Sequence, residues 1–340
     1  AHAGQRLVIV TPTMKAADVA TRETGAEGRS AAWLILQHGW RWDDDGHWSR
    51  QPDPRPCASA HLRPGDLLVV DEAGMLDQDT ARALLCVVDE AGARIALVGD
   101  RCQLPAVGRG GVLDHAIAYA DPATVVTLET VHRFTDEAYA ALSLRMRGAD
   151  QPGEVFDQLL ARGQVVVHLT DVERTEALAR LGAAGSLVVA DTRQQVADLN
   201  GAIREHRRGR DPSDGSSLTV TTGRGEVLGV GDRVATRLND PVLRVANRQT
   251  WTLANVGSNG SVTLHTSGRD QVVPAEYARE HLELAYATTV HGAQGETVAR
   301  AHVALTDSTG AAAAYVAMTR GRATNTAHLV ADSVEGAKQQ

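Results

Sequence analysis

Leu67-Leu68-Val69-Val70-Asp71-Glu72-Ala73-Gly74-Met75 is a short apolar run that ends in two adjacent carboxylates. The turn Arg63-Pro64-Gly65-Asp66 announces it, and four apolar residues in succession read as a strand covered on both faces. Similar runs lie on either side. Arg6 to Val10 reads as a strand followed by a helix over Met14 to Thr24, Ile95 to Gly99 as a further strand, and Val125 to Leu128 as a fourth. Gln78 to Ala91 has helical spacing and stops at Gly92, a helix C-cap. Continuous apolar strands alternating with helices specify an α/β domain with a parallel sheet.

The pattern repeats beyond Phe134. Helices are expected at Glu137 to Met146, Val155 to Ala161, Val172 to Leu181 and Thr192 to Arg208, with strands at Val165 to His168 and Leu187 to Ala190. Arg207 to Ser217 is polar and broken by Gly and Pro, so it reads as a hinge. From Leu218 to about Pro274 the period becomes alternating: Leu218 to Val220, Arg233 to Thr236, Trp251 to Leu253 and Ser261 to Leu264 read as the strands of an inserted β-barrel. The α/β pattern returns with Leu282 to Tyr286, Ala301 to Leu305, a helix at Ala311 to Arg320 and a strand at Thr326 to Val330. Within the first domain, Trp40 to Trp48 alternates around an Asp-Gly turn and reads as a hairpin.

Length and composition set outer limits. With 340 residues, 43% hydrophobic and 22% charged, the chain suits two globular domains. No run approaches the roughly 20 apolar residues of a membrane span. The three cysteines form no pattern and Ala1 to Arg6 has no signal-peptide character, so a reduced, cytoplasmic setting is expected. A net charge of −8 excludes a protein coated in basic patches but leaves room for a narrow basic channel.

The acidic strand end matches a Walker B pattern, in which the aspartate meets magnesium and the neighbouring glutamate orients water. By itself it also reads as a solvated acidic turn, a common way for a strand to end. Gly99-Asp100-Arg101-Cys102-Gln103-Leu104-Pro105 adds an amide placed to sense a γ-phosphate. Together the two strings resemble motifs II and III of superfamily 1 helicases. The others follow in order: Val10-Thr11-Pro12-Thr13 resembles motif Ia, Val131-His132-Arg133-Phe134 motif IV, Ala287 to Thr297 motif V and Tyr315 to Arg322 motif VI. Within the superfamily the chain is most similar to the 1B, RecD-like branch, and looks closest to the helicase part of conjugative relaxases of the TraA/TrwC (MobF) type.

That resemblance implies two RecA-like P-loop NTPase domains, the first truncated, with a hairpin insertion and an inserted SH3-like β-barrel. The expected boundaries are 1–134 for domain 1A with its insertion 1B at 25–61, 135–215 with 276–340 for domain 2A, and 216–275 for domain 2B. It implies ATP-dependent 5′-to-3′ movement on single-stranded DNA, with ATP and Mg2+ as cofactors and conjugation or DNA-processing proteins as partners. Asp71 would hold magnesium, Glu72 activate water and Gln103 sense the γ-phosphate. Arg133 and Arg320 would reach the transferring phosphoryl group, for which a planar, permanently charged guanidinium is suited. Gln294, Gly295 and Glu296 would couple nucleotide to DNA, while Thr11, Pro12, Thr13, Thr289 and His291 would touch the DNA backbone. The alternatives are a RecD-like repair helicase and a catalytically inactive DNA-binding module.

The phosphate-cradling Gly-x-x-x-x-Gly-Lys-Ser/Thr loop does not occur in the sequence. An upstream segment carrying it is expected, with Ala1 to Gly4 as the tail of its helix. Its strand is expected beside Leu67 to Asp71, leaving Val69 and Val70 without a partner. Three further features have no assigned role. Trp40, Trp42 and Trp48 suit either base stacking or hairpin packing. Arg204 to Arg210 suits either phosphate contact or a solvated helix end. His38, His47, Cys57 and His61 fit no common zinc spacing.

Overall fold

A computed structural model describes residues 5–25, 27–43, 48–128, 130–210, 218–240, 242–266 and 268–339. They divide into two compact units, Ala1–Glu129 and Thr130–Gln340. The Ala1 to Gly4 helix tail, the Asp-Gly turn of the hairpin and the 211–217 part of the hinge lie outside the described residues.

The first unit runs β1 (Leu7–Thr11), α1 (Met14–Thr24), β2 (Gly28–Ser30), α2 (Ala31–Gln37), β3 (Trp40–Trp42), β4 (Trp48–Arg50), β5 (Leu67–Val70), α3 (Gln78–Ala91), β6 (Arg94–Leu97) and α4 (Val112–Tyr119). Its parallel sheet has the order β2-β1-β5-β6. Leu68 and Val70 of β5 have no exposed surface and pack with Leu34, Ile35, Leu84 and Val87 of the helices. Asp77 starts α3 by accepting the Thr80 amide at 2.9 Å, and Gly92 ends it with φ 59°, as an N-cap and left-handed C-cap require. The antiparallel hairpin β3–β4 is clamped to α3 by the Arg50–Glu90 ion pair.

Two expectations fail in this sheet. Val69 and Val70 are not short of partners: they pair with Ile9 and Val10 on one side and with Ala96 and Leu97 on the other. Among the described residues the edge strands are β2 and β6 instead, and Val98 beyond β6 is 46% exposed. Val125 to Leu128 is not a strand. With no neighbour to pair with among the described residues it runs irregularly, and Val126 and Leu128 are 80% and 84% exposed.

The second unit begins with α5 (Glu137–Arg147), α6 (Pro152–Ala161), β7 (Val165–His168), α7 (Asp171–Ala183), β8 (Leu187–Ala190) and α8 (Arg193–Arg210). The inserted β region follows: β9 (Val220–Thr221), β10 (Val227–Leu228), β11 (Arg233–Thr236), β12 (Thr250–Val256), β13 (Val262–Thr266), β14 (Arg269–Val273), α9 (Ala275–His281) and β15 (Leu282–Leu284). The chain then returns through β16 (Ala287–Thr289), α10 (Val290–Ala293), β17 (Val298–Ala304), α11 (Ala311–Ala317), β18 (Gly321–Val330) and α12 (Val334–Gln339). The parallel sheet has the order β16-β8-β17-β18-β7. The inserted strands form an antiparallel sheet ordered β14-β13-β12-β11-β15, beside the two-stranded β9–β10 ladder. Leu178, Val188 and Ile203 of the α/β layer share one core with Val234, Trp251, Leu253 and Leu264 of the antiparallel sheet. α7 and α8 approach so closely at Gly182 that a Cβ there would meet Ile203 Cδ1 at 2.6 Å.

Three histidines form a chain across adjacent strands β7, β18 and β17. His168 Nε2 lies 3.0 Å from His328 Nδ1, and His328 Nε2 lies 3.2 Å from His302 Nδ1. Burial lowers all three pKa values, aided by Arg174 at His168, by Arg300 at His302 and by His302, His168 and Arg174 at His328, which is pushed down to about 3. Glu173 opposes this at His168. A histidine depressed in the folded state stays neutral while the unfolded chain takes up its proton. Stability is therefore full above about pH 6.5 and falls as the pH drops, by up to about 1.4 kcal/mol per pH unit per histidine. Urea unfolding between pH 7.5 and 5 tests this: the wild type loses stability across that window, and His328→Phe gives a flatter profile.

Candidate functional site

In the first unit, β5 delivers Asp71 and Glu72 at its carboxyl end. The Asp71 amide continues the ladder to Val10 O at 2.9 Å, and Asp71 Oδ1 accepts the Glu72 amide at 2.9 Å. Glu72 sits in the left-handed region with φ 54° and ψ 37°. A β-carbon is costly there, and such strain marks functional positions. The next turn rests on the β6 extension: the Ala73 amide donates to Val98 O at 2.8 Å, and a Cβ on Gly99 would come within 3.0 Å of the Ala73 and Gly74 amides. Asp100 Oδ1 then accepts the Cys102 amide and Asp100 O the Gln103 amide. The 71–74 and 99–103 turns thus lie back to back, with Asp71, Glu72 and Gln103 half-buried.

The expected DNA loop at the end of β1 is placed differently residue by residue. Thr11 has no exposed surface, and its hydroxyl donates to Thr13 O at 2.6 Å. Thr13 Oγ1 caps α1 by accepting the Ala16 amide at 3.2 Å. Thr11 therefore shapes the loop, while Pro12 and Thr13 remain half-buried at its surface.

In the second unit, Thr289 ends β16 and caps α10, its Oγ1 accepting the Gly292 amide at 3.1 Å. Helix α10 is packed so tightly that a Cβ on Gly292 would meet Thr288 Oγ1 at 2.3 Å. His291 is half-buried, and burial together with Arg248 lowers its pKa. Gln294 is 8% exposed, Gly295 turns the chain at φ 78°, and the Glu296 amide closes onto Ala293 O at 2.9 Å. Sequence reasoning missed Arg248. It comes from the inserted region, donates to His291 O at 3.5 Å, and lies in a cationic neighbourhood with Arg237 and Arg193.

The same unit brings Arg133 and Arg320 together. Arg133 Nη1 donates to Thr319 O at 2.9 Å. Arg320 does not project from the surface as its place at a helix end suggests: it is 1% exposed, with Nε donating to Val316 O at 2.6 Å and Nη2 to Thr319 Oγ1 at 2.9 Å. Around it the backbone is held residue by residue. Tyr139 Oη donates to Met318 O at 2.6 Å, the Val298 amide to Arg320 O at 3.0 Å, and Asn325 bonds both the Gly321 amide and its carbonyl. Tyr139 is a buried residue far off in sequence, and nothing local in the chain points to it, whereas Asn325, also buried, lies four residues past Gly321.

Of the unassigned features, Trp40 and Trp48 pack against the core of the first unit, with ring centroids 6.2 Å apart, while Trp42 is 46% exposed. Arg204 to Arg210 forms the end of α8, where Arg204 pairs with Asp232 at 2.7 Å. His38 Nε2 lies 3.0 Å from Ala60 O. His47 lies outside the described residues, and among those described no three His, Cys, Asp or Glu residues are grouped to hold a metal. Among them, too, no helix is long and apolar enough to cross a membrane. Magnesium needs less than a full cage of protein ligands, since one or two carboxylates and the substrate phosphates suffice. Asp71 and Glu72 fit that demand. The phosphate cradle finds no counterpart: the only lysines are Lys15 and Lys338, and neither stands in a glycine-rich loop of the required pattern.

A family model described as an AAA domain matches residues 1–168. The conjugal transfer protein TraA of Rhizobium radiobacter is 28% identical over 320 residues, covering 91% of this chain and 27% of that protein. The RecBCD enzyme subunit RecD of Mycolicibacterium smegmatis is 30% identical over 263 residues, 71% of this chain and 46% of that protein. This chain therefore spans about a quarter of TraA and under half of RecD. Among solved structures, Bacteroides Pif1 bound to single-stranded DNA superposes with a TM-score of 0.61 at 17% identity, covering 98% of this chain and 82% of that one. A second Pif1 structure, described as the structural basis for DNA unwinding at forked double-stranded DNA, gives 0.63, also at 17% identity. These two likenesses carry the fold.

Proposed function

We propose that the chain is the motor region of a superfamily 1B helicase related to TraA and RecD, an ATP-dependent enzyme that moves 5′ to 3′ along single-stranded DNA, a reading that its similarity to TraA and RecD supports. The observation that carries the reading is positional. Thr11, Asp71, Gly99-Asp100 and Thr289 all lie at or just past the carboxyl ends of parallel strands, the end at which open α/β sheets bind ligands.

In this reading Asp71 holds Mg2+ and Glu72 orients a water and accepts its proton at a carboxylate oxygen. Gln103 hydrogen-bonds the γ-phosphate, and Arg133 with Arg320 offsets the charge on the transferring phosphoryl group. Bound MgATP supplies the phosphoanhydride whose cleavage drives movement. Thr13, Thr289 and His291, with Arg248 beside them, hold the strand by its backbone, which positions it without reading sequence. Gln294 to Glu296 link strand and nucleotide, and the inserted β region serves as the SH3-like domain of the branch. Conjugation or DNA-processing proteins are the partners. For these 340 residues by themselves, the absence of a phosphate loop favours strand binding without hydrolysis.

The test is binding of mixed-sequence oligonucleotides over a salt series. The expected result is a preference for single strands over duplex, little sequence dependence, and a log K that falls linearly with log salt by about 0.7 per phosphate neutralised. Tight, salt-insensitive binding to one duplex sequence overturns the reading.

A further inference from the structure

The basic run on α8 has a second setting. Where α7, α8 and the inserted β region meet, an open groove of about 430 Å³ is lined by Gly182, Gly185, Ser186, Arg207, Gly231, Arg233, Trp251, His265 and Tyr286, among others. Asp232, next to it, is already neutralised. It accepts Arg204 Nε at 2.7 Å, the Gly229 amide at 2.7 Å and Tyr286 Oη at 2.8 Å. Arg204 keeps a buried Nη2 that has no acceptor among the described residues, and the Trp251 indole nitrogen is in the same state.

Arg207 lies over the Tyr286 ring, its Cζ 5.3 Å from the centroid, and Arg233 is exposed on β11. Neither is in an ion pair among the described residues. His265, also in the lining, engages Asp270 at 2.6 Å. The groove thus presents two unpaired guanidinium groups on a chain whose net charge is −8. Its place is distinct from the motif residues. Gly185, Ser186 and Tyr286 precede β8 and β16, whereas Thr289 ends β16, about 10 Å further along the strand.

We propose that this groove is a second contact for the phosphate backbone of single-stranded nucleic acid, at the opposite end of the sheet from Thr289 and His291. The chemistry fits: the guanidinium forks bind phosphate oxygens bidentately, and Arg207 is pre-ordered by its aromatic platform. The groove is open and offers no enclosed base pocket, which suits a backbone better than a free nucleotide. The proposal rests on the strand-binding reading above and extends it to a second site.

Fluorescence anisotropy with a labelled mixed-sequence 20-mer tests it, comparing the 340-residue chain with the Arg207→Gln/Arg233→Gln double variant. Arg207 and Arg233 are exposed, so the variant keeps its fold, which circular dichroism checks. The expected result is binding at least about tenfold weaker at low salt and a log K against log salt slope shallower by about 1.4, for two lost phosphate contacts. Unchanged affinity and slope overturn this proposal while leaving the strand-binding function in place. Pyrophosphate binding lost in the variant, with strand binding untouched, also overturns it and identifies a small-anion site. A wild-type chain that binds no strand overturns both readings.

Discussion

Glu72→Gln lowers DNA-stimulated ATP hydrolysis by about 10²- to 10⁴-fold in a polypeptide that carries a Walker A segment ahead of this chain, the range for removing a positioned general base. Nucleotide binding changes little, because the amide keeps the shape and leaves Asp71, the proposed metal ligand, in place. The backbone supplies a second readout. Glu72 stands at φ 54°, where a non-glycine residue costs on the order of 1 kcal/mol or more. Glu72→Gly therefore loses hydrolysis to the same extent while raising folding stability by about 1 kcal/mol, measured by urea unfolding of the 340-residue chain. A glutamate that served only as a solvated turn would give the same stability gain with no loss of rate. A Glu72→Gln protein at full rate removes Glu72 from the mechanism and returns the acidic pair to that plainer role.

The parts of the fold that could be read from the chain are those where local composition and tertiary environment agree. Leu67 to Val70 and Leu187 to Ala190 are uninterrupted apolar runs, and both are inner strands paired on two sides. Val125 to Leu128 has similar composition but no partner strand, and composition alone does not make a strand. Ala287 to Thr289 is the converse: short and Thr-rich, it was legible as a motif and not as a strand, and pairing with β8 makes it one. The position of the sheet edge was misplaced, because a sequence gives strand identity more readily than strand order.

The candidate site divides along the same line. Asp71 and Glu72 follow an apolar strand directly and Gln103 lies in the turn after the next one, so the chain announces them. Arg248 and Tyr139 are brought in by packing from distant segments. Tyr139 meets Met318 O across 179 residues of sequence. The left-handed backbone at Glu72 and the burial of Arg320 are equally invisible to a reading by residue type, since both are set by neighbours in space.

Arg320→Ala is expected to cost at least about a hundredfold in DNA-stimulated ATPase, again with a Walker A segment present. Arginine fingers contribute about 10³–10⁵ in rate in phosphoryl-transfer enzymes, and Arg133, bonded to the adjacent Thr319 carbonyl, partly compensates. The structure adds a condition. Arg320 is 1% exposed, with hydrogen bonds to Val316 O and Thr319 Oγ1, so it must be released from its own helix end before it can meet a phosphate. A buried arginine also fills space, and its truncation destabilises the second unit by about 1–3 kcal/mol through lost hydrogen bonds and packing. Rate and stability are separated by Arg320→Lys, which keeps charge and most of the volume but loses the planar fork. It is expected to recover most of the stability while staying at least about tenfold slow, because a point charge does not replace bidentate contact. Single-strand affinity stays within about threefold in both variants, since the proposed backbone contacts lie on other residues. Arg322, two residues on and exposed, is the control, and Arg322→Ala keeps its rate. Full activity in Arg320→Ala together with a dead Arg322→Ala would assign the finger to Arg322, and full activity in both would remove this segment from phosphoryl transfer altogether.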